Sequence, residues 1–120
     1  MQLIEQTNTL QTLIHKAKSI YEERRETKEV ADFFSVVKPF ADEMDKVVDA
    51  WEQSALDWLK TNPQKYVHAV QVTQTADNAR RVGAYAHFFD TGKAKFIQSA
   101  DSALYVLESI GKILKKDGAL

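Results

Sequence analysis

The sequence predicts an all-α protein, an antiparallel up-down-up-down four-helix bundle in a single domain over residues 1–120. Three observations carry that prediction. Between Phe33 and Trp58, apolar residues recur at alternating spacings of four and three: Phe33, Val37, Phe40, Met44, Val47, Trp51, then Trp58. That spacing keeps them on one helical stripe. A second column, Phe34, Ala41, Val48 and Ala55, widens it. Three further stripes of the same kind flank this one. Finally, two prolines and four glycines in 120 residues leave room for long helices and short connections.

Helix one is expected from residue 3 to about residue 27. Its seam is Leu3, Thr7, Leu10, Ile14, Ala17, Tyr21 and Arg24, flanked by Leu13 and Ile20. The run Glu22-Glu23-Arg24-Arg25-Glu26 that closes it reads as a solvated face with opposite charges within a turn of one another. Arg24-Arg25 could alternatively hold an anion.

Helix two carries the first stripe. Asp32 fits its N-cap, because a short carboxylate accepts the free N–H groups of the first turn. Pro39 lacks a donor and crowds the carbonyl of Ser35. Helix two is therefore expected to be kinked or broken near Pro39, with a short helix abutting a long one as one solution. Thr61-Asn62-Pro63 ends it, with Asn62 suited to a left-handed cap.

Helix three is expected from about His68 to Asp90, on a stripe of small residues: Val72, Ala76, Ala79, Gly83 and Ala86. Small side chains allow close approach of a neighbour, while Gly83 costs about 1 kcal/mol in helix propensity. Thr91-Gly92 reads as the stop, with Gly92 as left-handed cap. Helix four comes next on Phe96, Ala100, Ala103, Leu107, Ile110 and Leu114, with Lys112, Lys115 and Lys116 at its negative end. Residues 117–120 are expected to fray. Helices of roughly 22–28 residues would each be about 33–42 Å long, suited to antiparallel packing.

Composition narrows the chemistry. Sixteen basic and seventeen acidic residues leave a net charge of −1, which argues against a dedicated nucleic-acid surface. With no cysteine there is no disulfide, thiolate nucleophile or sulfur-ligated metal. No apolar run approaches the ~20 residues of a membrane span, and the first residues lack the pattern of a secretory signal. A cytoplasmic location is expected, with no membrane association. The positions three before His15, His68 and His87 are Thr12, Lys65 and Ala84, so the Glu-x-x-His pairs of a di-iron bundle are missing. No metal site, no cofactor and no catalytic residue is expected. His87 and Asp90 could pair on helix three, but a surface contact is the plainer reading.

One candidate surface site emerges, Tyr66 with His68, in the connection to helix three. An aromatic hydroxyl and an imidazole beside Lys65 could rim a pocket; more simply, Tyr66 packs over the bundle end and His68 caps helix three. Residues 65–68 fit a first helical turn or an extended link equally. Trp51 and Trp58 share a face, which suits core packing or, for one of them, an interface.

Several segments taken together resemble a known family. Asp32-Phe33-Phe34, Val37-Lys38-Pro39, the acidic Asp42-Glu43 with Asp45, Trp51, Pro63-x-Lys65-Tyr66-Val67-His68, and Ser102-Ala103-Leu104-Tyr105-Val106-Leu107 look like the YppE-like proteins of Bacillus and related Firmicutes. The similarity runs from about Tyr21 to Ile110. The family implies a small cytoplasmic all-helical bundle and brings no activity or catalytic residue with it. Helix three departs from the more leucine-rich pattern of the family. The functional expectation is a non-catalytic interaction or regulatory module with an unknown protein partner, existing as a monomer or weak homodimer. The alternative is a bundle that binds a small molecule between its helices or near Tyr66 and His68.

Overall fold

The computed structural model describes residues 2–90 and 92–116. Four α-helices form an elongated bundle, 46 × 26 × 22 Å: α1 Leu3–Thr27, α2 Lys38–Thr61, α3 Ala69–Tyr85 and α4 Lys93–Lys116. Among the described residues there is no strand. Each helix packs on its neighbours in sequence, α4 closes the ring against α1, and α1 touches α3 across the diagonal. The expected architecture is the observed one.

The stripes meet in one core. Leu10, Ile14 and Tyr21 of α1, Met44, Val48 and Trp51 of α2, Val72 and Val82 of α3, and Leu107 and Ile110 of α4 are all fully buried. Tyr21 stacks on Phe96 with ring centroids 4.1 Å apart, joining α1 to α4. The Trp51 indole, on α2, donates Nε1–H to the Thr7 hydroxyl of α1 at 3.1 Å. A buried indole N–H needs such an acceptor, which explains a threonine on the α1 seam. Trp58 is only partly buried against this core.

The small-residue stripe of α3 brings it close to α2. A Cβ added to Gly83 would lie 2.7 Å from both Cβ and Cγ of Met44. Glycine is what lets these two helices approach, and the propensity it costs is offset by packing. Arg80 reinforces the same seam, its Nη2 reaching Asp49 at 2.7 Å and Glu52 at 2.9 Å on α2. These carboxylates raise the already high pKa of the guanidinium.

The break near Pro39 is a change of helix type. Phe33–Val37 is a π-helical turn that runs directly into α2, with Pro39 in the first turn of α2. Val37 N–H reaches the Asp32 carbonyl and Lys38 N–H the Phe33 carbonyl, each five residues back. Pro39 has no N–H for the Ser35 carbonyl, and a widened turn moves that carbonyl away from the proline ring. Asp32 caps this turn as expected, accepting the Ser35 N–H at 2.8 Å and the Ser35 hydroxyl at 2.7 Å. Those bonds hold the Asp32 carboxyl below its usual pKa.

The π turn also corrects the expected stripe. It takes more residues per turn than an α-helix, so side chains before Val37 fall out of phase with those after it. Val37 and Phe40 are buried, but Phe33 is 52% and Phe34 79% exposed.

Other boundaries differ from expectation for local reasons. α3 stops at Tyr85, five residues before Asp90, so it is shorter than its partners. The chain turns there through Phe88 N–H to the Tyr85 carbonyl, and Ala86 and His87 bury themselves at the bundle end. The expected left-handed caps are not used. Asn62 takes φ −135° and instead donates its side-chain Nδ2–H to the Trp58 carbonyl. Gly92 has no positive φ, and its carbonyl accepts the Phe96 N–H at the start of α4. The left-handed cap that does occur is Lys28 at the end of α1, with φ 58° and its N–H on the Arg24 carbonyl at 2.7 Å. Thr91 of the expected Thr91-Gly92 stop, and the tail 117–120 expected to fray, lie outside the described residues.

Candidate functional site

Residues 65–68 are not helical, and His68 is the N-cap of α3 in extended conformation. Its N–H donates to Gln71 Oε1 at 2.7 Å, and its carbonyl accepts from Gln71 and Val72. Half of the plainer expectation therefore holds, for His68 does cap helix three. Tyr66 does not pack over the bundle end. It is 76% exposed, with Lys65 Nζ 5.3 Å from its ring centroid. His68, without Tyr66, lines an open groove of about 570 Å³ with Leu56, Leu59, Pro63 and Val67. The structure does not bring the two candidate residues together around one cavity.

At the opposite end, His87 and Asp90 lie beyond α3 rather than on it. Both line a shallow groove of about 150 Å³ with Val30, Ala31, Phe88 and Phe89, yet no hydrogen bond joins them. His87 is buried, its ring edge-on to Phe40 at 5.6 Å, and its Nδ1 has no hydrogen-bond partner. Burial pushes its pKa down, and the Arg24 guanidinium adds to that. Both effects favour the neutral imidazole.

Arg24 and Arg25 also serve the fold. Arg24 lies 3.9 Å from the Glu29 carboxylate, while Arg25 donates to the Phe89 carbonyl at 3.2 Å and sits over the Tyr21 ring. The pair does not converge on an anion. Among the described residues no three His, Asp or Glu side chains gather as a metal-ligand set. No helix among them is long and apolar enough to cross a membrane.

The feature that sequence reasoning missed is the display of apolar side chains at this end. Val30, Phe33 and Phe34 from the α1–α2 connection are exposed, as are Tyr85 and Phe88 from the end of α3. The Phe33 and Phe34 rings meet edge-to-face at 5.2 Å, as do Tyr85 and Phe88 at 6.1 Å. Val30 and Phe88 line one groove, which links the two connections. The signal that could have revealed it was the proline one turn after Phe33-Phe34, which forces a change of helical phase.

A family model described as a bacterial domain of unknown function, DUF1798, matches residues 7–114. This chain belongs to that family. It is 28% identical over 108 residues to the uncharacterized protein YppE of Bacillus subtilis (strain 168), covering 90% of this chain and 88% of the relative. The crystal structure of B. subtilis YppE superposes with a TM-score of 0.91 at 25% identity, over 98% of this chain and 96% of that one. A Listeria innocua protein of unknown function gives 0.94 at 26% identity, over 100% and 96%. The resemblance read from the Phe-Phe, Lys-Pro and Pro-x-Lys-Tyr-Val-His segments reaches the right family.

Proposed function

We propose that this protein is a non-catalytic interaction module that engages a protein partner through the bundle end carrying Val30, Phe33, Phe34, Tyr85 and Phe88. The observation that carries the reading is the exposure of these five large apolar side chains on two connections at one end of the bundle. Monomeric proteins rarely leave contiguous apolar surface uncovered without a use for it. The charges nearby are largely balanced, Arg24 facing Glu29 and Lys38 paired with Asp42 at 2.7 Å. The partner surface that fits is therefore apolar rather than strongly charged. In this reading the protein is cytoplasmic, monomeric or weakly dimeric, and binds neither nucleic acid nor membrane.

The test compares affinity purification of the wild-type chain with that of Phe34→Ser from the native organism. A protein captured by the wild type, lost with the variant, and bound again when both are purified supports the reading. Capture unchanged by Phe34→Ser, or a tight homodimer that the substitution abolishes, overturns it.

A second reading is favoured by one observation, the groove beside His68. Its size and its Leu56, Leu59 and Val67 walls suit a small apolar ligand. Tyr66 takes no part in it.

A further inference from the structure

A different groove, between α3 and α4, is lined by two basic side chains, Arg81 and Lys95, and by no carboxylate. About 320 Å³ in volume, it is lined by Arg81, Val82, Tyr85, Lys95, Phe96 and Ser99. The adjacent basic group on α3, Arg80, is taken up by Asp49, Glu52 and Asp77. By contrast no carboxylate among the described residues pairs with Arg81 or Lys95. Arg81 uses Nη1 for the Asn78 side chain at 3.1 Å and the Ser99 hydroxyl at 3.3 Å, which leaves Nη2 and Nε without a protein acceptor. Those two bonds fix the guanidinium at the mouth of the groove. Ser99 is 6% exposed; its oxygen accepts from Arg81, and no described group accepts its proton. Because Ser99 lines the groove, that proton is available to an acceptor lying in it. The remaining walls are apolar, Val82 and Phe96 being buried beneath the groove and Tyr85 standing half-exposed at its side.

We propose that this groove binds a small phosphate monoester whose apolar or aromatic body lies against Val82, Phe96 and Tyr85. Arg81 and Lys95 together match the two charges of a phosphate monoester, and a guanidinium fork suits its oxygens. Ser99 supplies a further donor from the floor of the groove. A volume of 320 Å³ suits a small metabolite better than an extended polymer. This inference does not depend on the interaction reading, since none of the polar groups it uses belongs to Val30, Phe33, Phe34 or Phe88, and Tyr85 enters here only as a wall.

The test is a titration of the isotope-labelled full chain with phenyl phosphate and, separately, with inorganic phosphate, monitored through backbone amide shifts. Saturable shifts confined to residues 81–85 and 95–99 are expected for phenyl phosphate, with an affinity about tenfold above that for inorganic phosphate, since the ring buries apolar area that the free ion lacks. Arg81→Gln and Lys95→Gln are each expected to weaken binding about tenfold or more, as loss of a charge-assisted hydrogen bond does. Both residues are exposed, so the thermal midpoint should stay put and separate lost binding from lost folding. Three results overturn the proposal: no saturable shift at millimolar phenyl phosphate, affinity unchanged in the double variant, or equal affinity for the two ligands.

Discussion

The middle of α2 and the turn that leads into it are written in the same apolar alphabet and meet opposite fates. Between Met44 and Ala55 the stripe residues Met44, Val48, Trp51 and Ala55 are sealed, Met44 under Gly83 and Trp51 against Thr7. In the Phe33–Val37 turn two phenylalanines stand in the open. Hydrophobicity alone does not distinguish these regions, because the number of residues per turn decides which way each side chain faces. A closed region should respond to substitution through stability, an open one through binding.

The largest effect should come from Trp51→Ala, which removes a fully buried indole and strands the Thr7 hydroxyl. A loss of about 3–5 kcal/mol is expected in chemical denaturation; a loss below about 1 kcal/mol would mean that Trp51 is not sealed. Gly83→Ala comes next. Alanine is the better helix former, yet its Cβ would collide with Met44, so a net loss of roughly 1–3 kcal/mol is expected. Gly111 supplies the control. It is also buried in a helix, but an added Cβ meets nothing within 4 Å. Gly111→Ala should therefore stabilise by about 0.5–1 kcal/mol. If both alanines acted alike, close approach at Gly83 would lose its support.

A smaller effect concerns pH. The His87 pKa is lowered in the folded chain, so below the unfolded value of about 6.5 the unfolded chain binds more protons. Stability should fall as pH drops through that value and level off beneath the folded pKa. His87→Gln should flatten this slope in thermal melts between pH 7 and 5, whereas an unchanged slope would place its origin elsewhere. The smallest effect is expected for Phe34→Ser, within about 0.5 kcal/mol of wild type by denaturation. A larger loss would show that the Phe34 ring is packed and that the end is part of the core.

The sequence made the four stripes readable because burial tracks helical period, and Leu10, Ile14, Met44, Trp51, Leu107 and Ile110 lie inside as that period requires. It made Asp32 readable because capping is local chemistry. The features it hid were set by tertiary contact. Helix three ends early because Ala86 and His87 are drawn into the bundle end. Lys28, rather than a glycine or asparagine, takes the left-handed cap because the chain must turn there. The anion groove was out of reach because Arg81 and Lys95 are fourteen residues apart and become neighbours only when α3 and α4 pack side by side. Nor could spacing show that Tyr66 points away from the groove that His68 lines.

Pro39 governs more than the residue it occupies. By denying the Ser35 carbonyl a donor it keeps an extra residue in the preceding turn, and that residue holds Phe33 and Phe34 on the outside. Restoring that donor with Pro39→Ala, at unchanged length, would let the segment wind as an α-helix and bring Phe33 and Phe34 back onto the stripe of Phe40 and Val48. Among descendants of this gene, a single substitution of that proline would therefore erase the apolar end while leaving the bundle standing.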